Sequence, residues 1–252
     1  MDYSIIIPAF NEEELLPATL AKLHDAMSQL PEQGEIIVVD NNSTDATAEL
    51  ARMSGARVVF ESVNRISTAR NAGANEALGK WLVFVDADTL VPSALLRQAI
   101  EALGTGDTGG GGSCIRFGPD AKESLPFALR LWNRISLGFR LAAGSFIYCR
   151  ADGFTTVGGF SDKVYAGEEI LFSRQYKAWC RKQDLRFVIM TDHPVFTSAR
   201  KLEWYSTFGL AGSFLTLLFF PFLLRSRFFC RFWYERPNKQ RSSKASLDDS
   251  QS

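Results

Sequence analysis

Four short apolar runs, each followed by a polar break and then a helical pattern, limit what this chain can fold into. Residues 4–7, 35–39, 57–60 and 82–85 are dominated by isoleucine, valine and other apolar side chains, and runs so short predict buried strands. Helical spacing follows each of them: Leu15, Leu16, Leu20 and Leu23 after the first, a helix running through Ala51 after the second, residues 68–78 after the third and 93–103 after the fourth. Asn11, standing before Glu12, Glu13 and Glu14, is expected to cap the first helix, with Ser43 or Thr44 capping the second. Strands alternating with helices of these lengths build βαβ units, an α/β fold with a mostly parallel central sheet flanked by helices. Ligands of such sheets bind at the carboxyl ends of the strands. Residues 8–11, 40–45 and 86–88 all fall there, so three polar loops are expected on one rim.

The fourth run ends in Asp86-Ala87-Asp88. In an extended chain alternate residues point the same way, so Asp86 and Asp88 are expected to present both carboxylates together at a strand tip. Two facing carboxylates repel each other unless a cation lies between them. A divalent ion such as Mg²⁺ or Mn²⁺ suits the site, because it takes a few carboxylates together with phosphate oxygens. The plainer alternative gives Asp86 to a turn and Asp88 to the cap of a helix beginning near Pro92. Glu168 and Glu169 open another helix after Gly167. A carboxylate there meets the helix dipole favourably, by about 0.3–1 kcal/mol when exposed, which accounts for one of the pair and not for both.

The 252 residues have room for one sizeable α/β domain with an extension. Basic and acidic residues balance at 28 each, so the net charge makes no case for nucleic acid as a partner. Cys114, Cys149, Cys180 and Cys230 form no CxxC pair, which argues against a zinc ribbon or a disulfide scaffold and for a reducing cytoplasm. The start of the chain lacks the basic and long apolar regions of a signal peptide.

Beyond the fourth helix the pattern changes. Four glycines at 109–112 mark a flexible turn or a close backbone approach. Residues 127–142 have helical periodicity, with Phe127, Leu131, Trp132, Ile135 and Phe139 on one side and Arg130, Asn133, Arg134 and Arg140 on the other. That pattern suits a surface helix packed on the sheet, or a basic amphipathic helix at a membrane surface or an acidic acceptor. Residues 144–150 read as a strand. From 204 to 224 no residue is formally charged, and basic residues flank both ends. The balanced flanks give no orientation for spanning, so this stretch is expected to lie in a membrane interface, with Phe228, Phe229, Phe232, Trp233 and Tyr234 as anchors. A buried core helix is the other reading.

Taken together the motifs resemble a family 2 glycosyltransferase with the GT-A, Rossmann-like nucleotide-sugar fold, over residues 4 to about 200. The opening Ser4-Ile-Ile-Ile-Pro8-Ala9-Phe-Asn11-Glu12 is similar to the family's first strand and base-holding loop. Asp40-Asn-Asn42-Ser43-Thr-Asp45 resembles its second loop, although the family has two acids and a glycine before that serine. Ala69-Arg70-Asn71-Ala-Gly73 resembles a helix start whose arginine faces the nucleotide, and Asp86-Ala87-Asp88 its metal site. Gly158-Gly159-Phe160 followed by Glu168-Glu169 resembles its Gly-Gly-Phe and Glu-Asp pair, with glutamate where the family has the aspartate taken as base.

The resemblance implies an inverting, metal-dependent glycosyltransferase of the hexosyltransferase type. It would move a sugar from a nucleotide-diphospho-sugar to a hydroxyl or phosphate acceptor that is lipid-linked, glycan or membrane-presented. Pro8, Ala9, Asn11, Glu12, Asp40, Asn42, Ser43, Arg70, Asp86 and Ala87 would bind the donor. Asp88, with Asp86 sharing the ion or holding the ribose, would bind Mg²⁺ or Mn²⁺, and Glu169 or Glu168 would be the base. His193 is a further metal-ligand candidate or an ordinary surface residue. The expected organisation is a catalytic domain at 1–200, a hydrophobic, aromatic, membrane-associated helical extension at 201–236 and a disordered polar tail at 237–252. The expected location is the cytoplasmic membrane face, peripheral or monotopic. Two rival readings are a nucleotidyltransferase of the same broad fold, disfavoured because residues 7–11 lack a glycine-rich phosphate loop, and an inactive membrane-surface scaffold.

Overall fold

The computed structural model of the chain describes residues 1–117, 126–165 and 167–198. The expected extension at 201–236 and the tail at 237–252 lie outside them. In chain order the elements are β1 (Tyr3–Ala9), α1 (Leu16–Met27), β2 (Gly34–Asp40), α2 (Thr47–Met53), β3 (Arg57–Phe60), α3 (Ile66–Glu76), β4 (Trp81–Val85) and β5 (Thr89–Leu90). They continue as α4 (Ser93–Gly104), β6 (Thr108–Phe117), α5 (Pro126–Phe139), β7 (Phe146–Arg150), α6 (Ala151–Val157), α7 (Glu168–Lys182) and β8 (Arg186–Thr197). The strands form an eight-stranded sheet in the order β3-β2-β1-β4-β7-β6-β8-β5. The first four positions are parallel, whereas β7 runs antiparallel to both neighbours and β5 antiparallel to β8.

The unbroken apolar runs follow from burial on both faces of the sheet. Ile5, Ile7, Val38, Val83 and Val85 pack on one side against Leu16, Leu20 and Leu23 of α1 and Leu95, Leu96 and Leu103 of α4. The alternate residues Ile6, Ile37, Val39, Leu82 and Phe84 face a second core with Ala69 of α3, Phe154 of α6, Phe160, and Phe172 and Tyr176 of α7. Phe84, Phe154, Phe160 and Phe172 form a ring cluster with centroids 4.6–5.7 Å apart.

One open sequence reading is settled here and one expectation changes. The glycines at 109–112 are not a turn but the first half of β6, between β7 and β8. A Cβ on Gly111 would stand 1.8 Å from the Val188 carbonyl oxygen, and one on Gly112 2.7 Å from Ala142 Cβ, so close backbone approach is their reason. Gly111→Ala is therefore expected to cost roughly 1–3 kcal/mol through displaced backbone, read as a shift in the denaturation midpoint. A variant as stable as the native chain would contradict this packing. The caps also move. Asn11 has φ +53° and lies outside α1, which begins at Leu16 with no acid in its first turn. Neither Ser43 nor Thr44 caps α2, which starts at Thr47 after Ala46.

The helix expected over 127–142 is α5, and its Asn133 clamps β6 by receiving from Ile115 N at 3.1 Å and donating to Ile115 O at 2.9 Å. Among the described residues no helix is long and apolar enough to cross a membrane.

Candidate active site

The rim at the carboxyl ends of β1 and β2 is built by two loops laced to each other. Asn11 N donates to Ser43 Oγ at 3.0 Å, and Asn11 Oδ1 accepts from Thr44 N at 2.7 Å. Glu12 is buried, and its N donates to Thr47 Oγ1 at 2.8 Å. Glu13 accepts from Ala46 N at 3.0 Å. Pro8 is partly buried and Ala9 buried, with the Ala9 carbonyl accepting from Asn41 N at 2.8 Å. On the second loop Asp40 Oδ1 accepts from Ser43 N at 2.9 Å, closing a turn around Asn42 at φ +65°. Asparagine tolerates that left-handed backbone because its short amide forms local hydrogen bonds. Asn11 and Ser43, expected as helix caps, therefore serve to fasten one loop to the other.

The stretch Asp86-Ala87-Asp88 is a turn and not an extended chain, since Thr89 N donates to Asp86 O at 3.1 Å. Strand alternation therefore does not orient the two carboxylates. The Asp86 side chain is 33% exposed, and Asp88 is buried. The buried Ala87 carbonyl accepts from Thr19 Oγ1 of α1 at 2.8 Å, which fastens the turn from below.

Arg70, on α3, joins this turn to the other acidic motif. Its Nη2 donates to Asp86 Oδ1 at 2.9 Å and to the Gly144 carbonyl at 3.0 Å, and its Nη1 donates to Glu168 Oε1 at 2.9 Å. The guanidinium is almost wholly buried and lies 5.2 Å from the Phe160 ring centroid. The next residue, Asn71, receives from Phe160 N at 2.9 Å and donates to Phe160 O at 2.8 Å, pinning the Gly-Gly-Phe turn. Adjacent residues of one helix thus hold the acid pair and the loop that precedes it. The fork that the resemblance turns towards a nucleotide is committed here to two carboxylates and a carbonyl.

Electrostatics follow from this packing. Burial works against the charge on Arg70, but Asp86, Glu168 and Glu169 outweigh it and hold its pKa above the usual arginine value. Burial raises Glu168, with Arg70 opposing. Glu169 is partly buried, and desolvation followed by the neighbouring charge of Glu168 pushes it up to about 8. A carboxyl held near neutrality is suited to accept a proton at working pH.

Asp86, Arg70, Glu168 and Glu169 therefore form one electrostatic cluster, and the 8–13 and 40–47 loops form a second. His193 is an exposed residue of β8. Three contributors escaped the sequence reading. Asn41 is buried and donates to the carbonyls of Glu61 and Val63 while accepting from Arg65 N at 2.9 Å. Gly144 offers only a carbonyl, which no side-chain motif could announce. The role of Asn71 is visible only once Phe160 is folded beside it.

No group of three His, Cys, Asp or Glu side chains able to hold a metal occurs among the described residues. A cation at Asp86 and Asp88 would thus rest on one or two carboxylates completed by phosphate oxygens and water. Mg²⁺ is held in this way in phosphate-bearing sites, so the donor set fits.

This architecture has known counterparts. The mannosyltransferase PcManGT from Pyrobaculum calidifontis, solved with GDP-Man and Mn²⁺, superimposes with a TM-score of 0.62 at 20% identity, over 77% of this chain and 56% of that one. The Mycobacterium tuberculosis glucosyl-3-phosphoglycerate synthase, solved with Mn²⁺, UDP and its product, gives 0.60 at 21% identity, over 89% and 79%. These likenesses define the class, the GT-A glycosyltransferase fold. The chain belongs to Glycosyl transferase family 2, whose profile matches residues 4–149, more than half of its length.

Among curated relatives, the undecaprenyl-phosphate 4-deoxy-4-formamido-L-arabinose transferase of Aeromonas hydrophila is 34% identical over 106 residues, 39% of this chain and 32% of the relative. The dolichol-phosphate mannosyltransferase of Pyrococcus furiosus is 33% identical over 137 residues, 52% and 38% respectively. The chain thus spans well under half the length of these two relatives.

Proposed function

We propose that this chain transfers a sugar, with inversion, from a nucleotide-diphospho-sugar to a membrane-presented phosphate or hydroxyl acceptor of the polyprenyl-phosphate kind. The observation that carries this reading is the Arg70 bridge, which unites Asp86 at the end of β4 with Glu168 at the start of α7. The turn at the end of β4 and the acid pair at the start of α7 become a single site through it. The Aeromonas and Pyrococcus relatives, named for polyprenyl-phosphate acceptors, support the acceptor class.

In this reading the laced loops receive the nucleotide, with Asp40 and Asn11 beside the base and ribose. Asp88 and Asp86 would hold Mg²⁺ or Mn²⁺, which when bound supplies positive charge to the departing diphosphate. Arg70 acts by positioning Asp86 and Glu168. Glu169 takes the proton of an acceptor hydroxyl, and Glu168 sustains its basicity by charge. An acceptor phosphate, already ionised, needs less of this help. The aromatic segment after residue 200 is proposed to associate with the membrane, where an acceptor of this kind resides.

Asp88→Asn is expected to lower metal-dependent release of nucleoside diphosphate by roughly 100-fold or more. It should also erase the thermal stabilisation that a sugar nucleotide with Mn²⁺ confers on the native chain, while the variant alone melts within a few degrees of it. Full turnover by this variant would remove the metal assignment.

A further inference from the structure

Away from the rim, one corner of the molecule carries a surface that the proposed chemistry does not use. Lys177 of α7 donates to the carbonyl of Phe139, the last residue of α5, and so ties these helices together. Arg174 and Arg181 are exposed one turn to either side of Lys177 on α7, and Arg140 is exposed at the end of α5. These three charges, after burial, depress the lysine's pKa, as like charges brought close together do. Beside them Phe139 is 68% exposed and Leu137 41% exposed. Arg140 occupies φ +48°, a left-handed position at a helix end where glycine is favoured.

Folding rewards the Lys177 tie and the cation in the last turn of α7, but it gains nothing from crowding Arg140 and Arg174 beside them or from leaving Phe139 and Leu137 exposed. An anionic outer layer over an apolar interior satisfies both. We propose that Arg140, Arg174, Lys177 and Arg181, together with Leu137 and Phe139, form a docking surface for the anionic headgroups of a lipid bilayer. The cations would meet lipid phosphates, and Phe139 and Leu137 would enter the boundary beneath them. A nucleic acid would match the charge but offer Leu137 no partner, so the apolar pair favours a bilayer.

The placement also has a catalytic reading, which rests on the proposed function. Glu169 and Lys177 lie on the same helix, eight residues apart, so about 12 Å of helix separates the acid from the cationic corner. A phosphate borne at headgroup level would then be close to the base.

The test uses the full chain and two vesicle preparations, pure phosphatidylcholine and a mixture with about a third phosphatidylglycerol. The native protein is expected to sediment preferentially with the anionic vesicles and to lose that preference in high salt. The combined variant Arg140→Gly, Arg174→Glu, Arg181→Glu should weaken anionic-vesicle binding by roughly 100-fold, at about fivefold per cation removed. Arg140→Gly relieves a strained backbone position, so on its own it should melt no lower than the native chain while weakening binding severalfold. Phe139→Ser should weaken binding to both preparations. Release of nucleoside diphosphate without vesicles, read in parallel, should stay unchanged, which separates this surface from the site itself. A short oligonucleotide added as a third arm is expected to bind no differently to the native chain and the combined variant. Equal binding of both vesicle preparations by the native chain, native-like vesicle binding by the combined variant, or a loss by that variant seen with the oligonucleotide and not with the vesicles would each overturn the proposal.

Discussion

Glu169→Gln is expected to abolish sugar transfer and, at the same time, to raise the melting temperature above pH 8. Both effects have one cause. Burial and the charge of Glu168 lift Glu169 to about 8, well above the ordinary 4.5. With the folded pKa above the unfolded one, the carboxyl supports the fold fully below the unfolded value and loses that support as pH rises through about 8. Glutamine does not ionise and keeps it. The whole shift would correspond to roughly 5 kcal/mol. Glu169 is only partly buried, so a gain of about 1–3 kcal/mol, or about 3–10 °C in Tm, is the expectation.

Catalysis runs the other way. The base must be ionised, so kcat/KM of the native enzyme should rise with pH through about 8, and the variant should lose about 10²–10⁴-fold at the plateau. Melting curves at pH 6 and pH 9 separate the two effects. A gain no larger at pH 9 than at pH 6 would show that Glu169 does not hold the raised pKa, and undiminished transfer would pass its role to Glu168.

Arg70→Met should destabilise the fold by about 3–5 kcal/mol, because it strands Glu168 in a buried site and leaves Asp86 without its counter-charge. Arg70→Lys is not a mild change either. One ammonium cannot span Asp86, Glu168 and the Gly144 carbonyl as the flat fork does, and a loss of roughly 2 kcal/mol is expected. Chemical denaturation measures both, and pH identifies the cause. The deficit should shrink as pH falls, because burial already raises Glu168 and losing Arg70 removes the charge that opposes that rise. Adding Glu168→Gln to Arg70→Met should recover part of the loss, a coupling that independent sites would not show. A Lys variant that unfolds at the native midpoint and turns over donor normally would deny Arg70 its bridging role.

Much of the fold was legible because local chemistry repeats. Ile5-Ile6-Ile7 and Leu82-Val83-Phe84-Val85 are apolar at every position because both faces of β1 and β4 are covered, and that is visible without coordinates. Glu168 and Glu169 were suspect because a helix dipole rewards one acid and not two. What stayed hidden depends on partners distant in sequence. Arg70 and Glu168 are 98 residues apart, and nothing local says that a motif arginine will turn inward. Gly111 could not be resolved between turn and close contact, because the decisive atom belongs to Val188. Asp86-Ala87-Asp88 stayed open between extended chain and turn because its sequence satisfies both, and only the Thr89 amide decides for the turn.

The reversed direction of β7 has a consequence for how such a molecule can diversify. Because β7 enters the sheet from the end where β4 leaves it, Phe146 pairs with Val85, and the residues between α5 and β7 are brought beside the Asp86 turn, where Gly144 meets Arg70. Exposed positions of α5 such as Arg134 and Leu137 can change while Asn133 keeps β6 and Gly144 keeps Arg70 in place. Under the proposed function, such positions would let the choice of acceptor vary with the loops at 8–13 and 40–47 left intact.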